Sequence, residues 1–155
     1  MNNSITKKSL FSDAERIFLN KLRIARIATL DPDDNFPHIV PICYVFDQDS
    51  FYMSLSRSSK RIKNLDKRNE VSLLFDEYQE KNGKWVALRG ILVKVNIEIL
   101  NYSSNSANFM KGWIKLIEKY PQYKLWAYEN LTPKDPDLRR IMRIIPFEKV
   151  SWGIS

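Results

Sequence analysis

The densest cluster of residues able to do chemistry is a basic segment in the first half of the chain. Between residues 57 and 68 the only acidic residue is Asp66, and six residues are basic: Arg57, Lys60, Arg61, Lys63, Lys67 and Arg68. Serines stand before and inside it, at Ser54, Ser56, Ser58 and Ser59. Guanidinium groups, hydroxyls and backbone N–H groups at a helix start bind phosphate. A basic run alone is more often a solvated turn, but serines directly before a helix start favour a phosphate cradle.

Composition is consistent with anion binding but does not identify the anion. The chain has 155 residues, of which 44% are hydrophobic and 28% charged, and its formal net charge is +7. These values predict one globular domain over residues 1–155, with residues 1–11 as a flexible N-terminal segment. The positive surplus attracts phosphorylated small molecules, nucleic acid or acidic membranes.

Several common sites are not predicted. With only four glycines, the chain has neither a GxGxxG motif nor a P-loop. His38 is the only histidine and Cys43 the only cysteine, so no metal site and no internal disulfide are expected. Cys43 is expected to be a buried, inert thiol. The single cysteine and the lack of a signal-like or membrane-length apolar run predict a cytoplasmic protein.

The elements that must position the basic segment are mostly strands. Ser12 and Glu15 form a capping-box pattern that predicts a helix over residues 13–23. Alternating or continuous apolar runs predict six strands, over residues 24–30, 37–46, 50–56, 71–76, 85–97 and 141–152, with a helix over 104–119. Short turns such as Asn82–Gly83 make the sheet antiparallel, and Gly90 is expected at a bulge or a close backbone approach. The expected fold class is mostly β: a six-stranded antiparallel barrel with flanking α-helices.

Three stretches carry a resemblance to a known family. They are residues 18–19 and 25–30 followed by 37–44, residues 51–52 with 59–65, and residues 71–76 with 86–90. In order and spacing they resemble the FMN-binding split-barrel proteins related to pyridoxamine 5'-phosphate oxidase, over residues 13–152. Residues 119–123 and 150–153 are similar to a subgroup that resembles oxidoreductases dependent on the deazaflavin coenzyme F-420. The substrate-binding residues of the true oxidase are not recognisable, so activity on that vitamer is not expected.

The resemblance implies a six-stranded split barrel, a homodimer, and a flavin in a groove between subunits. The cofactor is expected to be FMN, with F-420 as the alternative. Carried over by position, the cofactor-binding residues are His38, Ile39, Val40, Pro41, Ser54, Arg57, Ser59, Lys60, Arg61 and Trp152. The strand residues would line the ring, the loop residues would bind the phosphate, and Trp152 would lie near the ring, in the same subunit or across the interface. Asn64 is expected to cap or brace the short helix.

The preferred hypothesis is a flavin-dependent oxidoreductase with an unknown substrate. In such a protein the cofactor performs the hydride chemistry, so few or no dedicated catalytic side chains are expected. Lys63, Lys67 and Arg68 are the candidates to meet the acidic tail of F-420. The alternative is a non-catalytic flavin-binding or redox-sensing module. Nucleic-acid binding is less favoured, because no helix-turn-helix or zinc module is recognisable and the basic residues concentrate in one loop.

Overall fold

The computed structural model describes residues 8–155, which form one antiparallel sheet flanked by helices. The α-helices are α1 (Asp13–Lys21), α2 (Lys60–Lys67) and α3 (Tyr102–Lys119). The strands are β1 (Ile24–Leu30), β2 (Pro37–Cys43), β3 (Val45–Asp47), β4 (Ser50–Ser56), β5 (Val71–Lys81), β6 (Lys84–Leu100) and β7 (Arg139–Trp152). Two short 3₁₀ helices, Pro121–Trp126 and Pro136–Leu138, connect α3 to β7. Among residues 8–155, no helix is both long enough and apolar enough to cross a membrane.

The sheet has the strand order β2-β1-β5-β6-β7-β4-β3. Its two edge strands, β2 and β3, are consecutive in sequence and only Tyr44 separates them. The sheet therefore curls so that its two edge strands follow one another in sequence, and it forms an open rather than a fully closed barrel. The prediction of a mostly β, antiparallel split barrel with flanking helices is confirmed. The predicted number of six strands is wrong, because the second predicted strand is divided in two and the sheet has seven.

The division occurs because the side chain of Tyr120, just after α3, forms hydrogen bonds with the backbone of Tyr44. The Tyr44 N–H donates to the Tyr120 hydroxyl oxygen at 3.1 Å. That hydroxyl also lies 2.7 Å from the carbonyl oxygen of Tyr44 and 2.5 Å from that of Arg23, so its one proton is shared between them. Both backbone groups of Tyr44 are thus bonded to a side chain, and the ladder between β1 and β2 ends at Cys43.

Two clusters of buried side chains form on opposite faces of β4. Phe51, Met53 and Leu55 point into the barrel interior, where they pack with apolar residues of β1, β5, β6 and β7. Tyr52 faces the other way and packs with Trp113 of α3. This alternation is the period of two that a β-strand imposes on its side chains. It also turns Ser54 and Ser56 away from the barrel interior, towards α3.

The start of the described chain joins the barrel core. The predicted flexible segment, residues 1–11, lies mostly outside the described residues. At its end, Phe11 is only 4% exposed. Its ring packs edge-on at 5.4 Å from Phe46 and 6.1 Å from Phe51, measured between ring centroids. Burial of this aromatic ring attaches the segment just before α1 to the barrel.

The hairpin of β5 and β6 contains the predicted turn and the predicted close approach. Asn82 and Gly83 both have positive φ, 53° and 71°, as a tight hairpin turn requires. Gly90 is buried opposite Trp152 of β7, and a Cβ on Gly90 would overlap the indole ring. The register shifts lie elsewhere, at Gln79/Glu80 and at Lys94/Val95. Gly90 therefore marks a close approach, not a bulge.

Replacing Tyr120 tests the cause of the strand break. Tyr120→Phe should lower the free energy of unfolding by at least about 2 kcal/mol, because it leaves buried backbone groups without a partner. Urea denaturation measures the change. The matched control is Tyr123→Phe, since no hydrogen bond joins the Tyr123 hydroxyl to another residue of the described chain; it should change stability by less than about 0.5 kcal/mol. Equal effects of the two substitutions would contradict this explanation.

Candidate functional site

The site begins where β4 ends and α2 starts. Ser59 is the N-cap of α2, and its hydroxyl accepts a hydrogen bond from the Ile62 N–H at 3.3 Å. Serine is preferred at this position because its short side chain satisfies one of the free N–H groups of the first turn. The Arg57 N–H donates to the Leu138 carbonyl at 2.9 Å, which ties the loop to the segment before β7. The loop is thus held at both ends.

The first turn of α2 presents donors that have no partner. Among residues 8–155, no hydrogen bond involves the backbone N–H groups of Lys60 and Arg61, as is usual at a helix start. The Arg61 guanidinium is half-buried and makes neither a hydrogen bond nor an ion pair within this part of the chain. Burial lowers its pKa, yet a guanidinium stays charged in proteins. A fixed positive charge on a residue of the first turn, where two N–H groups are free, is a combination that attracts an anion.

Lys60 has an acidic partner that the sequence did not reveal. Its ammonium forms an ion pair with Asp31, whose side chain is only 7% exposed. The hydrogen bond between them raises the pKa of Lys60 and lowers the pKa of Asp31. An ammonium has three donors, so Lys60 retains donors for a second anion.

A buried hydrogen bond fixes α2 against the sheet. Asn64 is 3% exposed, and its side-chain N–H donates to the Thr29 hydroxyl at 3.1 Å. This agrees with the expectation that Asn64 braces the short helix. Thr29 is the cross-strand partner of His38 in β2. The start of α2 and the start of β2 are therefore held beside the same end of β1.

The predicted ring-contacting residues of β2 divide between two faces. Ile39 and Pro41 are exposed on the outer face, whereas His38 and Val40 are half-buried on the inner face. A flat ring can lie on only one of these faces, so the side chains of Ile39 and Pro41 are the better candidates. Because β2 is a sheet edge, its outward backbone groups are also free to bind a ligand.

Two predicted site residues lie away from the start of α2. The Ser54 hydroxyl faces α3 and accepts a hydrogen bond from Arg139 at 3.2 Å. Trp152 pairs with Gly90 of β6, which in turn pairs with Asp76 of β5. Thr29 of β1 pairs with Val71, five residues before Asp76 on β5. At about 3.4 Å per residue, that offset places Trp152 roughly 17 Å along the sheet from the end of β1. Within one chain, Trp152 does not join the residues around α2.

The six positive charges of the basic segment do not act alike. Lys67 pairs with Asp33 at 3.4 Å, and Arg68 pairs with Glu70 at 3.0 Å. With the ion pair of Lys60 and Asp31, three of the six basic residues have an acidic partner. The three that form no ion pair within the described chain are Arg57, Arg61 and Lys63.

Two cavities flank the site without enclosing it. The larger, of about 570 Å³, opens on the outer face of the sheet between β1, β5 and β6 and reaches Asn69 and Glu70 after α2. None of the ten predicted cofactor residues lines it. The smaller, of about 220 Å³, lies behind Ser56. Neither cavity contains Lys60 or Arg61, so the start of α2 is an open surface in a single chain.

Other reactive groups fall outside this arrangement. Cys43 is half-buried rather than buried, and burial raises the pKa of its thiol. Within residues 8–155, no group of His, Cys, Asp or Glu side chains comes together as a metal site requires. Sequence reasoning missed Asp31 and Arg139, because a turn aspartate and a strand arginine carry no local signal of their partners.

Removing the cap tests whether the Ser59 hydroxyl is used by the helix itself. Ser59→Ala should lower the free energy of unfolding of the cofactor-free protein by about 1 kcal/mol, the usual value for loss of a serine N-cap. Thermal or urea denaturation measures it. Ser58→Ala is the control, since the Ser58 hydroxyl contacts only that of exposed Ser56. No loss of stability in Ser59→Ala would show that the hydroxyl is not needed as a cap.

Comparison with known proteins agrees with this architecture. The model of the pyridoxamine 5'-phosphate oxidase family matches residues 11–146. Among curated proteins, none matches the sequence.

Solved structures with the same fold have diverged widely in sequence. The heme storage protein HutZ of Vibrio cholerae has a TM-score of 0.70 at 14% identity, covering 91% of this chain and 94% of that one. A FAD-binding protein of Mesorhizobium loti has a TM-score of 0.66 at 18% identity, with coverages of 91% and 94%. An F-420 reductase has a TM-score of 0.63 at 15% identity, with coverages of 87% and 94%. At these identities the likeness concerns the fold, and together with the family match it shows that the chain belongs to the pyridoxamine 5'-phosphate oxidase family, with its split-barrel architecture.

Proposed function

We propose that the protein is a flavin-dependent oxidoreductase that binds the phosphate of FMN at the start of α2. The observation that carries the proposal is that, within residues 8–155, the half-buried guanidinium of Arg61 forms no ion pair and belongs to a helix start whose first two backbone N–H groups are free. The family match adds a reason to expect a flavin-type ligand, since solved relatives include a FAD-binding protein and an F-420 reductase.

The residues at the start of α2 suit a phosphate better than a neutral group. A phosphate accepts several hydrogen bonds at once, and each charge-assisted bond contributes about 1.5–3 kcal/mol. Arg61 offers a planar fork, the helix start offers two N–H groups, and Lys60 offers its remaining donors. The pair of Lys60 and Asp31 keeps the ammonium beside the first turn. Arg57 is a further exposed cation on the loop.

The ring is proposed to lie on the outer face of β2, over Ile39 and Pro41. That face continues into an apolar surface with several exposed large side chains: Leu92 at 39%, Phe147 at 55%, Val150 at 59% and Trp85 at 65% exposure. An extended apolar surface of this kind usually marks an interface. A second copy of the chain is the proposed partner. It would convert the open surface at α2 into a groove and bring its Trp152 towards the ring.

In this arrangement the bound flavin supplies the hydride chemistry. The protein's own residues bind and orient: Arg61 and the helix start hold the phosphate, Ile39 and Pro41 offer a flat apolar surface, and a second copy excludes water. A positive charge near the cofactor also favours its reduced, anionic form. The site therefore needs no dedicated acid or base from the chain.

Of the two cofactors, FMN is favoured over F-420. The residues expected to meet the acidic tail of F-420 were Lys63, Lys67 and Arg68. Two of these lie against exposed carboxylates that would repel an acidic tail, since Lys67 contacts Asp33 and Arg68 contacts Glu70. A non-catalytic flavin-binding or redox-sensing module would use the same phosphate site. Turnover with a reduced nicotinamide separates the oxidoreductase from that alternative.

Arg61→Ala tests the phosphate site. It should weaken FMN binding about 10- to 100-fold, since one or more charge-assisted hydrogen bonds are lost. Fluorescence quenching of FMN on titration with the protein measures the affinity. The control is Lys63→Ala, because Lys63 is exposed on α2. It should change the FMN affinity less than about threefold. Unchanged affinity in Arg61→Ala, with stability also unchanged, would rule out this phosphate site.

A charge placed on the outer face tests the proposed dimer. Val150→Asp should convert a dimer into monomers, because it buries an unpaired carboxylate in the interface, and FMN content should fall with it. Light scattering after gel filtration gives the mass. Leu125→Asp is the control, since Leu125 is 71% exposed on the 3₁₀ helix after α3. A wild-type protein that is monomeric with FMN bound would contradict the role of the second copy.

A further inference from the structure

A small cavity lies on the α3 side of β4, away from the barrel interior. Its volume is about 220 Å³. It is lined by Ser56, Trp126, Lys134, Asp135, Leu138 and Arg139. Ser56 and Arg139 are cross-strand partners on β4 and β7, so their side chains leave the sheet on the same face. The cavity does not include the residues at the start of α2.

Arg139 is held in place by aromatic rings and not by an acid. Its guanidinium carbon lies 4.8 Å from the ring centroid of Trp126 and 5.4 Å from that of Trp113. One guanidinium N–H donates to the Ser54 hydroxyl at 3.2 Å. Within residues 8–155, Arg139 forms no ion pair. A guanidinium has five donors, and a neutral hydroxyl uses only one of them here.

The aromatic support is itself rigid. Trp113 is fully buried, and its indole N–H donates to the Leu131 carbonyl at 2.9 Å. Trp126 packs edge-on against Tyr123 at 5.3 Å between centroids. The orientation of the Arg139 fork is therefore fixed before any ligand arrives. Such preorganisation reduces the entropy lost on binding.

The remaining lining residues favour a planar anion. Lys134 adds a second cation, and its ammonium is kept near by a 3.2 Å bond to the Leu125 carbonyl. Asp135 is the only acidic residue of the lining, which leaves a net positive charge. Trp126 and Leu138 are about half exposed, at 46% and 54%, and provide apolar walls. The planar guanidinium of Arg139 suits a carboxylate, and the flat apolar walls suit an aromatic ring attached to it.

We propose that this cavity binds a small aromatic carboxylate, with the carboxylate on the Arg139 guanidinium and the ring against Trp126. The volume is below the roughly 300–1,000 Å³ typical of pockets for larger ligands, so it suits an acid with a single ring. The proposal does not depend on the flavin. Its residues lie on the face of β4 that carries Ser54 and Ser56, and Arg61 is not among them.

Benzoate is the probe that tests the site in the full-length protein. Isothermal titration should give saturable binding, and quenching of tryptophan fluorescence should follow the same curve. Benzamide has the same ring without the charge and should bind at least about tenfold more weakly, because a charge-assisted hydrogen bond is stronger than a neutral one. Equal binding of benzoate and benzamide would overturn the assignment of a carboxylate site.

Substitutions then locate the bound benzoate. Arg139→Gln should weaken binding at least about tenfold. Its matched control is Arg140→Gln, because Arg140 bonds only backbone carbonyls and does not line the cavity. Trp126→Leu is a second variant at a half-exposed position, and it should weaken binding severalfold while leaving the fold intact, as judged by circular dichroism.

Arg61→Ala separates this site from the phosphate site and should leave benzoate affinity unchanged. Loss of benzoate binding in Arg61→Ala, with no effect of Trp126→Leu, would place the anion at α2 and overturn the proposal. No saturation of the wild-type protein below about 10 mM benzoate would also overturn it. Failure of FMN to bind, with benzoate binding retained, would contradict the proposed function alone.

Discussion

The hydrogen bond between Asn64 and Thr29 determines where the start of α2 lies. Both side chains are almost fully buried, at 3% and 2% exposure, so each needs the other to avoid an unsatisfied polar group. The ion pair of Lys60 and Asp31 holds the same helix at its first turn. Within residues 8–155, Arg61 has no carboxylate to pair with, so its charge remains available to an anion that approaches the helix start.

The alternation of side chains along β4 separates two proposed anion-binding regions that are neighbours in sequence. Residues after the strand form the first turn of α2, whereas Ser54 and Ser56 face α3 and Arg139. A single serine-rich and basic stretch therefore contributes to two surfaces with different partners. One offers backbone N–H groups and a free guanidinium, and the other offers a guanidinium stacked on tryptophan. The first suits a phosphate and the second a planar carboxylate.

Local sequence signals predicted much of the fold and indicated the first turn of α2 as the candidate phosphate site, which stays a prediction. The capping box of Ser12 and Glu15 forms as expected, with bonds of 2.8 and 3.2 Å, and β4 has the predicted bounds. The break at Tyr44 was not predictable, because it depends on a tyrosine hydroxyl 76 residues away. The pairing of Lys60 with Asp31 and the stacking of Arg139 also arise only after the strands have assembled. The distance between Trp152 and α2 in one chain also depends on how β5, β6 and β7 are paired, which the sequence does not show.

Recognition of a flavin through its phosphate is the proposed property on which the other proposals about the cofactor depend. Comparing the affinities of FMN and riboflavin for the wild-type protein tests this most directly, since the two differ only in that group. Binding of FMN at least about 30-fold tighter than riboflavin is predicted, because the phosphate would make charge-assisted bonds worth about 2 kcal/mol or more in total. Equal affinities for the two compounds would contradict the account.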